Sequence, residues 1–144
     1  MYTVKNIMKF VTGFIPNRIR RWLRKPDMDM IYPGFYIGGR TNDISVKFEV
    51  IDLTKILPEG PYVSPDVLDG IVRTIDWYLN KDRFVFVHCR VGRGRAPMVA
   101  ACVMTKYELF DMELSKEYVT SCRPHVCWTP AQEESMKDYE VYIK

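Results

Sequence analysis

The chain has 144 residues, of which 47% are hydrophobic and 27% charged, and its formal net charge is +3. This composition is typical of one small globular domain and excludes a disordered chain, and so mild a charge does not indicate a nucleic-acid partner. Two histidines are too few for a histidine-rich metal site, and the four cysteines, at positions 89, 102, 122 and 127, lack zinc-type spacing. We therefore expect no metal, no cofactor and a compartment that keeps thiols reduced.

The first 26 residues form a segment of their own. No acidic residue precedes Asp27, whereas lysine or arginine occurs at positions 5, 9, 18, 20, 21, 24 and 25. The apolar residues between them have the spacing of two short amphipathic helices, interrupted near Gly13 and Pro16. Such a segment can pack on the folded domain, contact an anionic membrane surface through residues 1–25, or act as a targeting peptide. No stretch is long and apolar enough to span a bilayer, and we place the folded domain in residues 27–144.

Three short strands are predicted in that domain. A turn at residues 32–34 precedes the first strand, over residues 35–37, and residues 48–53 are the second candidate. Residues 84–87 are an uninterrupted apolar run, which is typical of a strand covered on both faces. The third strand should therefore lie inside the sheet.

Four helices are predicted from their apolar spacing and their end signals. The first should begin after Ser64, with proline in its first position, and run to about Leu79. The second contains Pro97 in its first turn and continues as a buried helix. A third covers residues 111–121, and the last begins after Thr129, which is again followed by proline.

The most informative stretch joins the third strand to the second helix and reads His-Cys-Arg-Val-Gly-Arg-Gly-Arg. Its glycines let the backbone curl, and successive N–H groups at a helix N-terminus favour a phosphate-like dianion. The same field favours the thiolate form of Cys89, and Arg95 can hold two phosphate oxygens in its planar fork. The pattern therefore predicts an anion cradle with a nucleophile at its floor. Its phosphate-binding residues would be Arg90, Val91, Gly92, Arg93, Gly94 and Arg95.

This stretch resembles the H-C-x-x-G-x-x-R signature loop of the cysteine-dependent protein tyrosine and dual-specificity phosphatases. The resemblance extends from about Ile31 to the C-terminus, and the small size is similar to the dual-specificity branch. It implies an α/β fold in which a small mixed, largely parallel sheet is flanked by helices. Few residues separate Gly39 from Ser64, so we expect a shortened sheet.

The resemblance also implies roles for individual residues. Cys89 would be the nucleophile that forms a thiophosphate intermediate, Arg95 would bind the phosphoryl oxygens, and His88 would favour the thiolate through the loop. The chain departs from the family directly after the arginine, where a serine or threonine hydroxyl usually assists the leaving thiolate. Here that position is Ala96.

The family's proton donor is an aspartate on a loop that precedes the helix before the signature strand. Asp52 is the first choice here, because an aspartate that leaves a strand into a long loop can reach over the cradle. Glu59 is the alternative, since it lies nearer the helix start. Asp66, Asp69 or the absence of any acid are the remaining alternatives, and the ordinary role of Asp66 would be a charge in the first helical turn.

The segment from Arg123 to Gln132 resembles the family's R-P-x-x and final-helix pattern, which packs near the signature loop. It is also similar to the mitochondrial lipid phosphatase of the family. By analogy with a glutamine of the classical tyrosine phosphatases, Gln132 can orient the hydrolytic water, but a surface position on the helix is the favoured interpretation.

The resemblance implies a phosphomonoester hydrolase, and proteins phosphorylated on tyrosine, serine or threonine are the favoured substrates. Arg90 and Arg93 add positive potential, and similar basic loops occur in family members that act on phosphoinositides and phosphatidylglycerophosphate, so a phospholipid substrate is the alternative. A phosphate-binding pseudophosphatase and a membrane-associated scaffold are further alternatives. We expect a cytoplasmic protein, with peripheral membrane contact or a mitochondrial location as the alternatives.

Overall fold

The computed structural model describes residues 27–40 and 48–144. Within them lie one four-stranded sheet and four α-helices. The predicted basic segment, residues 1–26, lies outside the described residues, so the division of the chain at residue 26 stays a prediction. Among the described helices, none combines the length and the apolar character needed to cross a membrane.

The sheet is mixed and largely parallel, as predicted. Its strands lie in the order β1-β2-β4-β3. Strand β1 is antiparallel to β2, whereas β2 and β3 both run parallel to β4, which is therefore an interior strand. The strands are β1 (Met28–Tyr32), β2 (Phe35–Gly38), β3 (Phe48–Asp52) and β4 (Phe84–His88).

Strand β1 was not predicted, and the strand predicted to come first is the second one. The two strands form a hairpin that turns at Gly34, whose positive φ of 93° suits glycine. The sequence pattern did not indicate β1 because its second residue is Asp29, and aspartate is depleted in strands. Asp29 is nevertheless buried there, because Arg123 supplies an ion-pair partner from another part of the chain.

The four predicted helices are confirmed with small changes at their ends. Ser64 and Asp111 occupy N-cap positions, and Thr129 forms a complete capping box with Gln132. Pro97 lies in the first turn of its helix, which begins two residues earlier at Arg95. The helices are α1 (Pro65–Asn80), α2 (Arg95–Tyr107), α3 (Met112–Cys122) and α4 (Pro130–Tyr142).

Helix α2 lies at the centre of the packing and is buried from Arg95 through Thr105. It contacts the other three helices as well as strands β2 and β4. A buried polar cluster joins α1, α2 and α4, because Lys106 Nζ and the Tyr139 hydroxyl each donate to Asp69 at 2.7 Å. The loop between β4 and α2 is thus held at both ends by the most buried elements of the fold.

Candidate active site

The loop between β4 and α2 begins at Cys89, which is only 3% exposed. The Cys89 N–H continues the pairing of the sheet by donating to the carbonyl of Gly38 at 3.2 Å. Arg95, at the other end of the loop, is the first residue of α2 and is 7% exposed. The strand and the helix therefore fix the positions of the thiol and the guanidinium separately.

Five consecutive carbonyl groups of this loop accept hydrogen bonds from groups outside it. The donors are the Arg40 N–H to Arg90 (3.1 Å), Arg123 Nη2 to Val91 (3.0 Å), Arg123 Nε to Gly92 (2.6 Å), the Cys127 N–H to Arg93 (2.8 Å) and Trp128 Nε1 to Gly94 (3.1 Å). All peptide bonds of the described residues are trans, and in a trans peptide the N–H points away from the carbonyl. Holding the five carbonyls outward therefore turns five N–H groups, those of residues 91–95, toward the inside of the loop.

Both glycines of the loop are required by their surroundings. Gly92 has a φ of +77°, and a Cβ there would lie 2.5 Å from Arg123 Nη2 and 2.5 Å from the Gly38 carbonyl carbon. A Cβ at Gly94 would lie 2.9 Å from Gln132 Oε1. Side chains at these positions would force apart the contacts that shape the loop.

The inside of the loop is a cavity of about 100 Å³. That volume is well below the ~300 Å³ and more of pockets that enclose whole drug-sized ligands, so it suits a phosphoryl group whose substituent remains outside. Arg95 Nη1 donates to the carbonyl of Leu57 at 2.9 Å, which anchors the guanidinium at the cavity wall. The lining residues are Glu59, Gly60, Cys89, Val91, Gly92, Arg93, Gly94, Arg95, Cys127, Thr129 and Gln132.

Asp52, the first choice for the proton donor, is beside the site and is not one of the residues that line the cavity. Its carboxylate caps a short 3-10 turn and accepts hydrogen bonds from the N–H and the hydroxyl of Thr54 at 3.0 and 2.5 Å. Partial burial opposes ionisation, but these two hydrogen bonds outweigh it, so the pKa of Asp52 is lower than usual. In this conformation the group is a carboxylate held by its neighbours.

His88 is paired with Asp52 across adjacent strands. Its Nδ1 lies 4.0 Å from Asp52 Oδ1 and 3.4 Å from the Cys89 carbonyl oxygen, and its ring stacks on Phe86. The histidine therefore contacts the backbone that carries the thiol, and its role in favouring the thiolate stays a prediction.

The other acid candidates differ in whether they line the cavity. Glu59 is exposed and lines the cavity. Asp66 is an exposed residue in the first turn of α1. Asp69 belongs to the buried polar cluster that joins α1, α2 and α4. Burial raises the pKa of its carboxyl group, but the hydrogen bonds from Lys106 and Tyr139 lower it by more, so the pKa lies below its ordinary value. Of these three acids, the structure brings only Glu59 to the cavity.

Three residues near the loop were missed or misjudged from the sequence. Gln132 is not on the surface: it is 3% exposed and lines the cavity, and its Oε1 accepts from the Thr129 N–H at 3.0 Å. Cys127 is a second, exposed thiol in the lining. Arg123 holds two of the five carbonyls, and the only sequence signal for it was the resemblance that placed this segment near the loop.

No protein-family model matches this chain. It is similar to phosphatidylglycerophosphate phosphatase PTPMT2 of Arabidopsis thaliana, with 26% identity over 89 residues that make up 58% of this chain and 38% of that protein. A second relative, phosphatidylglycerophosphate phosphatase PTPMT1 of Arabidopsis thaliana, is 33% identical over 54 residues, 38% of this chain and 16% of the relative. The chain thus matches well under half the length of either relative.

Solved structures share the fold over most of their length. Tk-PTP in its active form superposes with a TM-score of 0.74 at 19% identity, covering 81% of this chain and 97% of that one. PTPMT1 in complex with PI(5)P gives 0.71 at 17% identity, with coverages of 81% and 96%. A mouse putative dual specificity phosphatase complexed with zinc tungstate gives 0.70 at 13% identity, with coverages of 82% and 89%. At these identities the likeness concerns the fold, and it confirms the predicted fold class.

Proposed function

We propose that this chain is a cysteine-dependent phosphomonoesterase. The chain has the fold of the dual-specificity phosphatases, and its predicted resemblance to them is confirmed at the level of the fold. One observation carries the proposal: five adjacent carbonyls are held outward around Cys89, so the opposite N–H groups surround a cavity of phosphoryl size. Inward-facing amides favour an anion, and they stabilise a thiolate and a bound phosphoryl group alike.

The proposed reaction has two steps. The Cys89 thiolate attacks phosphorus in line with the ester oxygen, so a sulfur–phosphorus bond forms as the phosphorus–oxygen bond breaks, and the leaving oxygen takes a proton from a general acid and departs as the alcohol. The loop amides and Arg95 stabilise the charge on the three phosphoryl oxygens during transfer. Water then gives a proton back to the carboxylate of that acid as it attacks the cysteinyl phosphate, so a phosphorus–oxygen bond forms, the sulfur–phosphorus bond breaks, and inorganic phosphate and the thiolate are released. Ala96 is fully buried and brings no hydroxyl to assist this second departure.

Glu59 is the proton donor that the cavity geometry favours, and two variants that each replace a carboxylate with an amide test this choice. We expect Glu59→Gln to lower kcat for an alkyl phosphate about 100-fold or more, because a departing alkoxide needs a proton. The same variant should retain most of its rate on para-nitrophenyl phosphate, whose leaving group is stable without one. Asp52→Asn is the matched variant, and the measurement is kcat for both variants on both substrates. If Asp52→Asn instead shows the alkyl-selective loss, Asp52 is the acid, as predicted from the sequence.

For the substrate we propose a phospholipid with a terminal phosphomonoester. Two curated relatives are phosphatidylglycerophosphate phosphatases by name, and PTPMT1 was crystallised with a phosphoinositide. Arg90 and Arg93 are exposed on the loop, where they add positive potential toward an anionic headgroup or membrane. In the same proposal, residues 27–144 are the catalytic domain and the basic residues 1–25 contact the anionic surface that contains the lipid.

A panel of substrates tests the enzyme class and the substrate class together. Phosphatidylglycerophosphate and phosphatidylinositol 5-phosphate in micelles would be compared with phosphotyrosine and phosphothreonine peptides by release of inorganic phosphate. We expect kcat/KM for a lipid to exceed that for the peptides by at least about tenfold. Preference for the peptides would establish the protein phosphatase. Binding of phosphate without release from any substrate would establish the pseudophosphatase.

A further inference from the structure

Arg123 is the most deeply buried charged group at the phosphate loop, with 1% of its surface exposed. It comes from the end of α3, about thirty residues after the loop, and nothing in the proposed reaction requires it to touch the substrate. We infer that Arg123 is a positioning residue that sets the direction of the loop amides, an inference that rests on the proposed function.

The two bonds from Arg123 to the loop determine two adjacent peptide planes. Its Nε donates to the Gly92 carbonyl at 2.6 Å and its Nη2 to the Val91 carbonyl at 3.0 Å. The peptide that carries the Val91 carbonyl also carries the Gly92 N–H, and the next peptide carries the Arg93 N–H. Because a trans peptide is rigid, fixing both carbonyls on one side fixes both N–H groups on the cavity side.

The shape of the guanidinium makes this double contact specific. Nε and Nη2 lie on one edge of a planar group, so one side chain fixes the angle between two neighbouring peptides. A lysine ammonium is a single nitrogen on a flexible stem and cannot impose that angle. The contact is also close: a Cβ on residue 92 would lie 2.5 Å from Nη2, so Arg123 in this position requires glycine there.

Two carboxylates pair with the guanidinium. Nη1 donates to Asp29 Oδ2 at 2.8 Å and lies 3.0 Å from Asp27 Oδ1, and Nη2, which also bonds the Val91 carbonyl, donates to Asp27 Oδ2 at 3.3 Å. Asp29 is buried in β1, so its charge offsets the cost of burying the arginine and orients its loop-facing edge. This contact explains the aspartate inside β1. It also makes the loop's conformation depend on the first strand of the sheet.

The test compares Arg123→Lys with Asp29→Asn, using Arg83→Lys as the matched control because Arg83 pairs with Glu49 on the surface. The first readout needs no turnover: iodoacetamide alkylates Cys89, inorganic phosphate protects it, and mass spectrometry follows the peptide that carries it. The second readout is kcat and KM for para-nitrophenyl phosphate, measured well below each variant's melting temperature.

For Arg123→Lys we expect phosphate to protect Cys89 at least about tenfold less well and kcat to fall about 100-fold, the size of effect that small misplacements of reacting groups produce. Asp29→Asn should move both readouts in the same direction by a smaller factor, and Arg83→Lys should move neither. The positioning role would be overturned if phosphate protects Cys89 in the wild type and protects it equally well in a folded Arg123→Lys variant. If Arg123→Lys does not fold, Asp29→Asn decides by the same comparison. Failure of phosphate to protect wild-type Cys89 would instead overturn the proposed function.

Discussion

Replacing Cys89 with serine is expected to lower the rate of phosphomonoester hydrolysis by at least ~10⁴-fold, on the scale of losses seen when a nucleophile is removed. The thiolate is the nucleophilic form of cysteine, and a serine hydroxyl is a far weaker acid than a thiol, so the first step loses its attacking anion. The loop carbonyls are held by groups other than this side chain, so the variant should keep its melting temperature and still bind inorganic phosphate. Steady-state release of phosphate from para-nitrophenyl phosphate measures the loss.

Cys127→Ser is the matched control for this variant. Cys127 is the other thiol in the cavity lining, and its contact with the loop is made by its backbone N–H, which serine retains. Its rate should stay within about threefold of the wild type, since a serine in place of an exposed thiol usually changes little. A Cys89→Ser variant that turns over as fast as Cys127→Ser would show that sulfur at position 89 is not the nucleophile.

Arg95→Lys is the second substitution with a large expected effect, a loss of about 10³-fold in kcat. Nη1 of Arg95 donates a hydrogen bond to the Leu57 carbonyl, which fixes the guanidinium at the cavity wall. Its other N–H groups can then donate to phosphoryl oxygens in the cavity. An ammonium cannot satisfy a fixed carbonyl and two phosphoryl oxygens in one plane, so the variant should bind the transition state poorly although its charge is unchanged.

The measurement is kcat and KM for para-nitrophenyl phosphate, with Arg73→Lys as the control for the same chemical change on the exposed surface of α1. A fall in kcat larger than the rise in KM would indicate that Arg95 acts mainly in the transition state. Equal kinetic constants for Arg95→Lys and the wild type would refute the proposed role of the guanidinium.

Much of the site could be anticipated from local sequence because its chemistry is local. The strand, the glycine-containing turn and the helix start are consecutive, so the order Cys89 to Arg95 by itself predicted a loop between β4 and α2. The helix starts after Ser64 and Thr129 likewise depend on neighbouring residues and were confirmed, although only Thr129 caps its helix through its side chain. The proton donor was harder to predict from sequence, since Asp52 ends β3, Glu59 lies in the connection that follows, and only packing brings Glu59 to the cavity.

The short-range sequence determined where the backbone curls, which residue stands at its floor and which begins the helix, since these follow from dihedral preferences and from successive positions. The direction of each loop peptide was decided by tertiary structure, because the donors that hold the carbonyls come from Arg40, Arg123, Cys127 and Trp128, all far from the loop along the chain. The burial of Asp29 has the same cause: it is stabilised by a distant partner, Arg123, that no local pattern contains.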